Sequence, residues 1–402
     1  MTNKEAAIKV LNQLRDAGYQ ALFAGGCVRD MLINRKPKDF DVATSATPDQ
    51  VCKLFRRRIE VGAQFGVVIV LIENEQIEVA TFRSDGYYSD GRRPEHITFS
   101  DPKTDALRRD FTINGMFYDP INDEVIDFVG GKEDLEKQLI RTIGKPQERF
   151  DEDYLRMLRA IRFSAELGYK IETSTWKAIK KLAPNIEKIS GERIAAELER
   201  VFGCERRAAG ITMLVESGIL ELIFPTLTKD EISQGIKVLE KITSPVSLEK
   251  GLGTMLCKCS STKAEKLVRP LKLSNNQNKA INWVIENKNQ LLEPDMKLST
   301  LRPLLADKRF AMLFDIQRGC QLSESKSTEN LELIMQRAEK LKDTVLLPPP
   351  LLNGNEIIEL GAPNGPQIGK LCRKLYQNQL DEIIKTKNEA ISAIKNWIKK
   401  IH

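Results

Sequence analysis

The alternation of apolar and polar positions changes character about a third of the way along the chain. From about Lys4 to Asp16 apolar residues recur at helical spacing, which predicts an amphipathic helix. Gln20 to Ala24 reads as a short strand that ends at Gly25-Gly26. Glu60-Val61, Val67 to Ile72 and Gln76 to Arg83 are further strand-like segments, set apart by polar turns. After about Arg149 long helical periodicities follow one another, with Gly, Pro and Ser at the joints. Arg149 to Leu167, Ser174 to Leu182 and Gly191 to Phe202 are the clearest of these helices, and the pattern continues to about Lys342. Pro348-Pro349-Pro350 marks a stiff linker, followed by a helical tail that carries Asn364-Gly365-Pro366. An α/β first third followed by an all-α remainder is therefore expected, without internal repeats or low-complexity tracts.

The 402 residues allow two to four cooperating units, and 41% hydrophobic with 29% charged residues describes a globular protein with a substantial core. The longest aliphatic run, Val67 to Ile72, is too short to span a bilayer, and the start leads into a helix pattern instead of an apolar signal core. A cytoplasmic protein with no membrane partner is expected. Seven cysteines at irregular spacing read as reduced thiols. Cys257 and Cys259 lack the second pair that a zinc site requires. The two histidines, His96 and His402, leave any metal to carboxylates. A net charge of +6 is compatible with a polyanionic partner but does not demonstrate one.

Three constellations carry candidate chemistry. Leu22 to Asp30 places Gly25-Gly26 and Arg29 between a strand and a helix, where backbone and helix N-terminus can approach a phosphate. Alone, such a glycine pair is more often a plain turn. Asp39-Phe40-Asp41 follows, and on a strand its two carboxylates would share one face and suit Mg²⁺. An isolated D-x-D would instead read as a solvated acidic turn. The second constellation gathers Arg83, Asp90-Gly91-Arg92-Arg93-Pro94 and Arg108-Arg109-Asp110-Phe111-Thr112-Ile113-Asn114, with guanidiniums suited to a triphosphate or to a solvated basic face. In the third, Glu152 and Asp153 precede Arg156, Arg159 and Arg162, and helical spacing lines Asp153 and the arginines along one stripe, which alone reads equally as a salt-bridge ladder on a solvent face.

Together these segments resemble the class II tRNA nucleotidyltransferase and bacterial poly(A) polymerase family of the DNA polymerase β superfamily. LFAGGCVRD…DFDVAT is similar to that family's motif A, RRDFTIN to motif B, DFVGGKEDL…IRTIG to motif C, EDYLRMLRAIRF to motif D and ISGERIAAEL to motif E. The resemblance implies an elongated, seahorse-like architecture: an α+β head with a polymerase β-like mixed sheet, then all-α neck, body and tail. The corresponding boundaries are 1–146, 147–208, 209–343 and 344–402. It implies Mg²⁺ on Asp39 and Asp41, with Glu78 as third carboxylate and Asp110 as its competitor. Gly25, Gly26 and Arg29 would meet the incoming triphosphate. Arg109, Asp110, Asn114, Arg159 and Arg162 would complete the nucleotide site. Asp153 and Arg156 would read the base, and Glu152 would hold Arg156.

Cytosine and adenine each present an amino donor beside a ring-nitrogen acceptor, matching an acid beside a guanidinium. Uracil and guanine reverse that pattern, and each unpaired group costs roughly 1–3 kcal/mol. The expected reaction is addition of C, C and A from CTP and ATP to the 3′ end of tRNA, whose elbow the body and tail would hold. Lysine-rich Lys385 to His402 is either an RNA-facing or a solvated helix face. The alternatives are A-only addition, poly(A) synthesis, or a non-catalytic RNA-binding protein on the same scaffold. The segment Ser84 to Ala106 resembles a flexible loop that CC-only enzymes lack. Gly115, where relatives often carry alanine, departs from the pattern.

Overall fold

The computed structural model describes residues 1–60, 62, 65–86, 97–363 and 365–399. Two compact units divide the chain: Met1–Leu227 with Arg269–Lys272, and Thr228–Val268 with Leu273–His402.

The first unit opens with α1 (Asn3–Asp16), started by a capping box between Thr2 and Glu5. Its residues Ala7, Val10, Leu11 and Leu14 fall on one face and are fully buried. Strand β1 (Ala21–Ala24) runs into α2 (Gly26–Leu32), and then come β2 (Asp41–Thr44), α3 (Pro48–Leu54), β3 (Arg58–Ile59), β4 (Val67–Ile72) and β5 (Glu75–Thr81). The short pair β6 (Arg83–Asp85) and β7 (Ile97–Phe99) follows, then α4 (Pro102–Arg108), β8 (Phe117–Asp119) and β9 (Glu124–Ile126). Seven of these strands form one mixed sheet in the order β3-β4-β5-β2-β1-β8-β9. Only its β2–β5 pair is parallel, with Val42 opposite Val79. Leu22, Ala24, Ala43, Phe82, Ala106 and Phe117 form the core on which this sheet rests.

Helices take over after α5 (Gly131–Glu136) and β10 (Leu139–Ile140). They are α6 (Pro146–Glu152), α7 (Leu155–Leu167), then, after β11 (Lys170–Ile171), α8 (Thr173–Leu182), α9 (Gly191–Gly203), α10 (Arg207–Glu216) and α11 (Ile219–Ile223). Among the described residues the regular elements of the second unit are all helices, from α12 (Lys229–Leu239) and α13 (Leu248–Met255) to its last helix, Lys387–Ile398. At its C-terminal end Ile357, Leu371, Leu375, Ile384 and Ile394 share a core. No helix among the described residues is long and apolar enough to cross a membrane, and all seven cysteines are free.

Three expectations about elements change. The segment Arg149 to Leu167 is two helices, α6 and α7, not one. The strand expected across Asp39 to Asp41 begins only at Asp41, because β1 pairs no further than Ala24 with Asp41. The expected Glu60-Val61 strand lies slightly earlier, at Arg58–Ile59. Val61, Asp90 to Pro94, Asn364, Lys400 and both histidines lie outside the described residues, as do residues 87–96 of the loop expected from Ser84 to Ala106. The Gly115 departure has a packing reason: a methyl group there would meet Val129 Cγ2 at 2.7 Å and Ile143 Cδ1 at 2.9 Å.

Gly191, the first residue of α9, packs directly on the backbone of 269–272, where an added Cβ would lie 1.9 Å from the Pro270 carbonyl oxygen. Gly191→Ala is expected to destabilise the protein by about 1–3 kcal/mol through overpacking, read as a lowered thermal midpoint.

Candidate active site

The register of β1, β2 and β5 brings two motifs to one end of the sheet. Ala24 is paired with Asp41, so Gly25-Gly26 begins beside that carboxylate. Gly25 has φ +76°, and a Cβ on it would lie 3.0 Å from Arg109 Nη1, so both backbone and space call for glycine. Asp41 and Glu78 each immediately precede the paired residues Val42 and Val79. Burial, then the charges of Glu78 and Asp39, push the half-buried Asp41 carboxyl up to about 7, with Arg109 offsetting part of the effect. Glu78 remains accessible to solvent, yet crowding by protein atoms raises its pKa, and Asp39 adds to this against the pull of Arg109. Burial also pushes the neighbouring Cys27 thiol up to about 11, so it stays protonated.

A polar relay joins this end of the sheet to α7. Arg29, only 5% exposed, is gripped by Asp30 at 2.8 Å and donates to Asn114 Oδ1 at 2.8 Å. Asn114 donates to Asp110 Oδ1 at 3.3 Å, and Asp110 Oδ2 accepts from Arg159 Nε at 2.7 Å. Burial opposes ionisation of Asp110, but Arg159 with Arg156 and Asn114 holds its carboxyl down at about 2. Both Asp110 oxygens are thereby engaged, one of them also by the Phe111 amide at 2.8 Å. Arg109 pairs with the buried Asp105 at 2.9 Å, and Arg162 with the buried Glu197 of α9 at 3.1 Å. Burial lowers Arg162 to about 10, which leaves it charged at neutral pH.

Asp153 lies in the break between α6 and α7, with extended backbone angles, instead of continuing a helical stripe with Arg156 and Arg159. Its Oδ1 accepts from the Leu155 amide at 3.0 Å, and its Oδ2 accepts from Arg193 of α9 at 2.7 Å. Glu152 accepts from both Arg149 and Arg156, and Arg156 also reaches the Arg149 carbonyl at 2.8 Å.

These groups surround one cleft of about 1310 Å³. Gly25, Gly26, Arg29 and Asp41 line it at the sheet end, and Arg109, Asp110 and Asn114 continue the wall. Asp153, Arg156, Arg159 and Arg162 complete it. Asp39, Glu78 and Glu152 are not among the residues that line it, and Glu152 is joined to it through its ion pair with Arg156. Among the described residues no three metal-ligating side chains are gathered as a ready-made cage. Arg35, Lys38, Arg193, Arg200 and Arg206, which are not among the expected site residues, also line the cleft. For Arg193 and Glu197 a signal existed: four apart on α9, they share a helix face.

A family profile described as "Poly A polymerase head domain" matches residues 21–141, and one described as "Probable RNA and SrmB- binding site of polymerase A" matches 168–231. The chain is 44% identical over 250 residues to a CCA-adding enzyme of Bacillus pumilus; this covers 61% of the chain and 60% of that enzyme's length. It is 31% identical to a CCA-adding enzyme of Streptococcus gordonii across 97% of the chain and 96% of that enzyme. The fold is similar to a Bacillus stearothermophilus CCA-adding enzyme in complex with CTP: TM-score 0.83, 27% identity, covering 100% of this chain and 99% of that one.

The depressed Asp110 carboxyl stabilises the fold above its unfolded value near 3.9, a contribution lost as pH falls through about 2. Wild type is expected to exceed Asp110→Asn in stability by about 2–3 kcal/mol at pH 6, with the gap closing towards pH 2. Denaturant unfolding across that range checks it.

Proposed function

The chain belongs to the poly(A) polymerase head-domain family that includes the CCA-adding enzymes, and we propose that it adds C, C and A from CTP and ATP to the 3′ end of tRNA, releasing pyrophosphate. The observation that carries the proposal is the joining, in one cleft, of a carboxylate-bearing strand end, a chain of arginines and an acid–guanidinium pair.

Members of this family depend on a divalent metal. The donor set fits one: Asp41, Asp39 and Glu78 gather like charges, with Arg109 offsetting part of the effect on Asp41 and Glu78, and they offer hard oxygens. Mg²⁺ is the proposed ion, held by Asp39 and Asp41 with Glu78 as third carboxylate, since it accepts few protein ligands and completes its shell with substrate oxygens and water. When bound it supplies a Lewis acid to the oxygens around the reacting phosphorus.

The protein's own groups bind and orient. Gly25, Gly26 and Arg29 receive the triphosphate, and Arg109, Arg159 and Arg162 surround it, with Asp110 and Asn114 holding the arginines in place. The RNA 3′ hydroxyl then attacks the α-phosphate in line, and pyrophosphate leaves. Asp153 accepts from the amino group of cytosine or adenine while Arg156 donates to the ring nitrogen. Arg193 and the Leu155 amide fix the carboxylate of Asp153, and Glu152 fixes Arg156, so the reader is rigid before the base arrives. Residues 1–146 then serve as catalytic head and 147–208 as neck, with 209–343 and 344–402 holding tRNA in the cytoplasm.

Incubation of purified protein with tRNA lacking its 3′ end and single labelled nucleotides tests this. Use of both CTP and ATP with a stop after three additions is expected; long adenylate tails or use of ATP alone overturn it. Asp39→Ala and Asp41→Ala should each abolish incorporation in folded protein. Asp153→Ala should cut the preference for CTP over UTP by roughly ten- to hundredfold, the cost of unpaired buried polar groups.

A further inference from the structure

Phe163, on α7, is 5% exposed and lines the cleft. Three guanidiniums surround its ring: Arg162 at 4.1 Å from the centroid, Arg29 at 5.3 Å and Arg159 at 5.4 Å. Arg159 reaches it as an i,i+4 neighbour on the same helix, whereas Arg29 arrives from α2 on the sheet side. Phe111 meets the ring edge-on, with centroids 5.7 Å apart and planes at 79°.

The carboxylates that neutralise these arginines belong to three separate segments. Asp30 holds Arg29, Asp110 holds Arg159 and Glu197 of α9 holds Arg162. Each carboxylate draws its own arginine towards its own element, and like charges repel besides. The Phe163 ring is the neighbour common to all three guanidiniums, and its negative π cloud attracts cations without adding an acceptor that would compete with a phosphate.

We propose that Phe163 is a positioning residue for the triphosphate, keeping Arg29, Arg159 and Arg162 convergent before the ligand arrives. This rests on the reading of the cleft as a nucleoside triphosphate site. Since the ring acts on the phosphate-binding groups and not on Asp153 or Arg156, its loss weakens all nucleotides alike.

The test compares Phe163→Leu and Phe163→Met, which fill space without a π face, with Phe163→Tyr, which keeps one. Inorganic tripolyphosphate binding by calorimetry is expected to weaken about tenfold in the first two, equivalent to about 1.4 kcal/mol, and to stay within about twofold in the third. KM for CTP and for ATP should rise by the same factor, with the preference for CTP over UTP unchanged. The inference is overturned if both ring-free variants bind tripolyphosphate as wild type does, or if Phe163→Tyr loses as much as they do. It also fails if both ring-free variants lose their fold by circular dichroism, since the ring is then a plain core group. Absence of nucleotide incorporation by the wild-type chain would instead remove the reading on which the inference stands.

Discussion

Six arginines that face the cleft each sit beside a carboxylate, and the arrangement depends on that matching. Moving an ion out of water costs several kcal/mol, so a half-buried guanidinium persists only beside a partner. Arg29 has Asp30, Arg109 has Asp105, Arg159 has Asp110, Arg162 has Glu197 and Arg156 has Glu152. Arg193 completes the set with Asp153. The exception stands at the ends of β2 and β5, where Glu78 and Asp39 crowd Asp41 and Arg109 offsets part of the effect. Negative charge gathers there, which is the condition a divalent cation relieves.

The matching also joins segments distant in sequence. Arg29, Asn114, Asp110 and Arg159 form a continuous relay from α2 to α7. From the other side α9 presents Arg193 to Asp153 and Glu197 to Arg162, an i,i+4 pair of opposite sign gripping two groups of opposite sign. The cleft walls are therefore clamped by side chains whose partners lie outside their own element, which favours a site formed before any ligand binds.

Much of this was legible in the sequence where the signal is local. The apolar periodicity of α1 and the unbroken run of β4 give their elements nearly to the residue, since each buries one continuous face or strip. The double glycine, the RRDFTIN segment and the spaced arginines of α7 indicated which residues would meet. The break at Asp153-Tyr154 was not legible, because neither residue is a strong helix breaker and the surrounding periodicity is helical. Arg193 and the Leu155 amide hold Asp153 in its non-helical position, and the former lies forty residues away. Asp39 likewise falls outside the strand because β1, its would-be neighbour, ends where the backbone turns at Gly25.

The sequence by itself determined the class of fold, the order of its elements and the identity of the polar groups, because periodicity, turn chemistry and residue type are properties of short stretches. Tertiary structure decided which acid faces which arginine, which carboxylates are left in excess, and that one phenylalanine ring stands among three guanidiniums. Those outcomes are settled by desolvation and by distances between elements far apart along the chain, quantities that exist only once the sheet and the helices have packed.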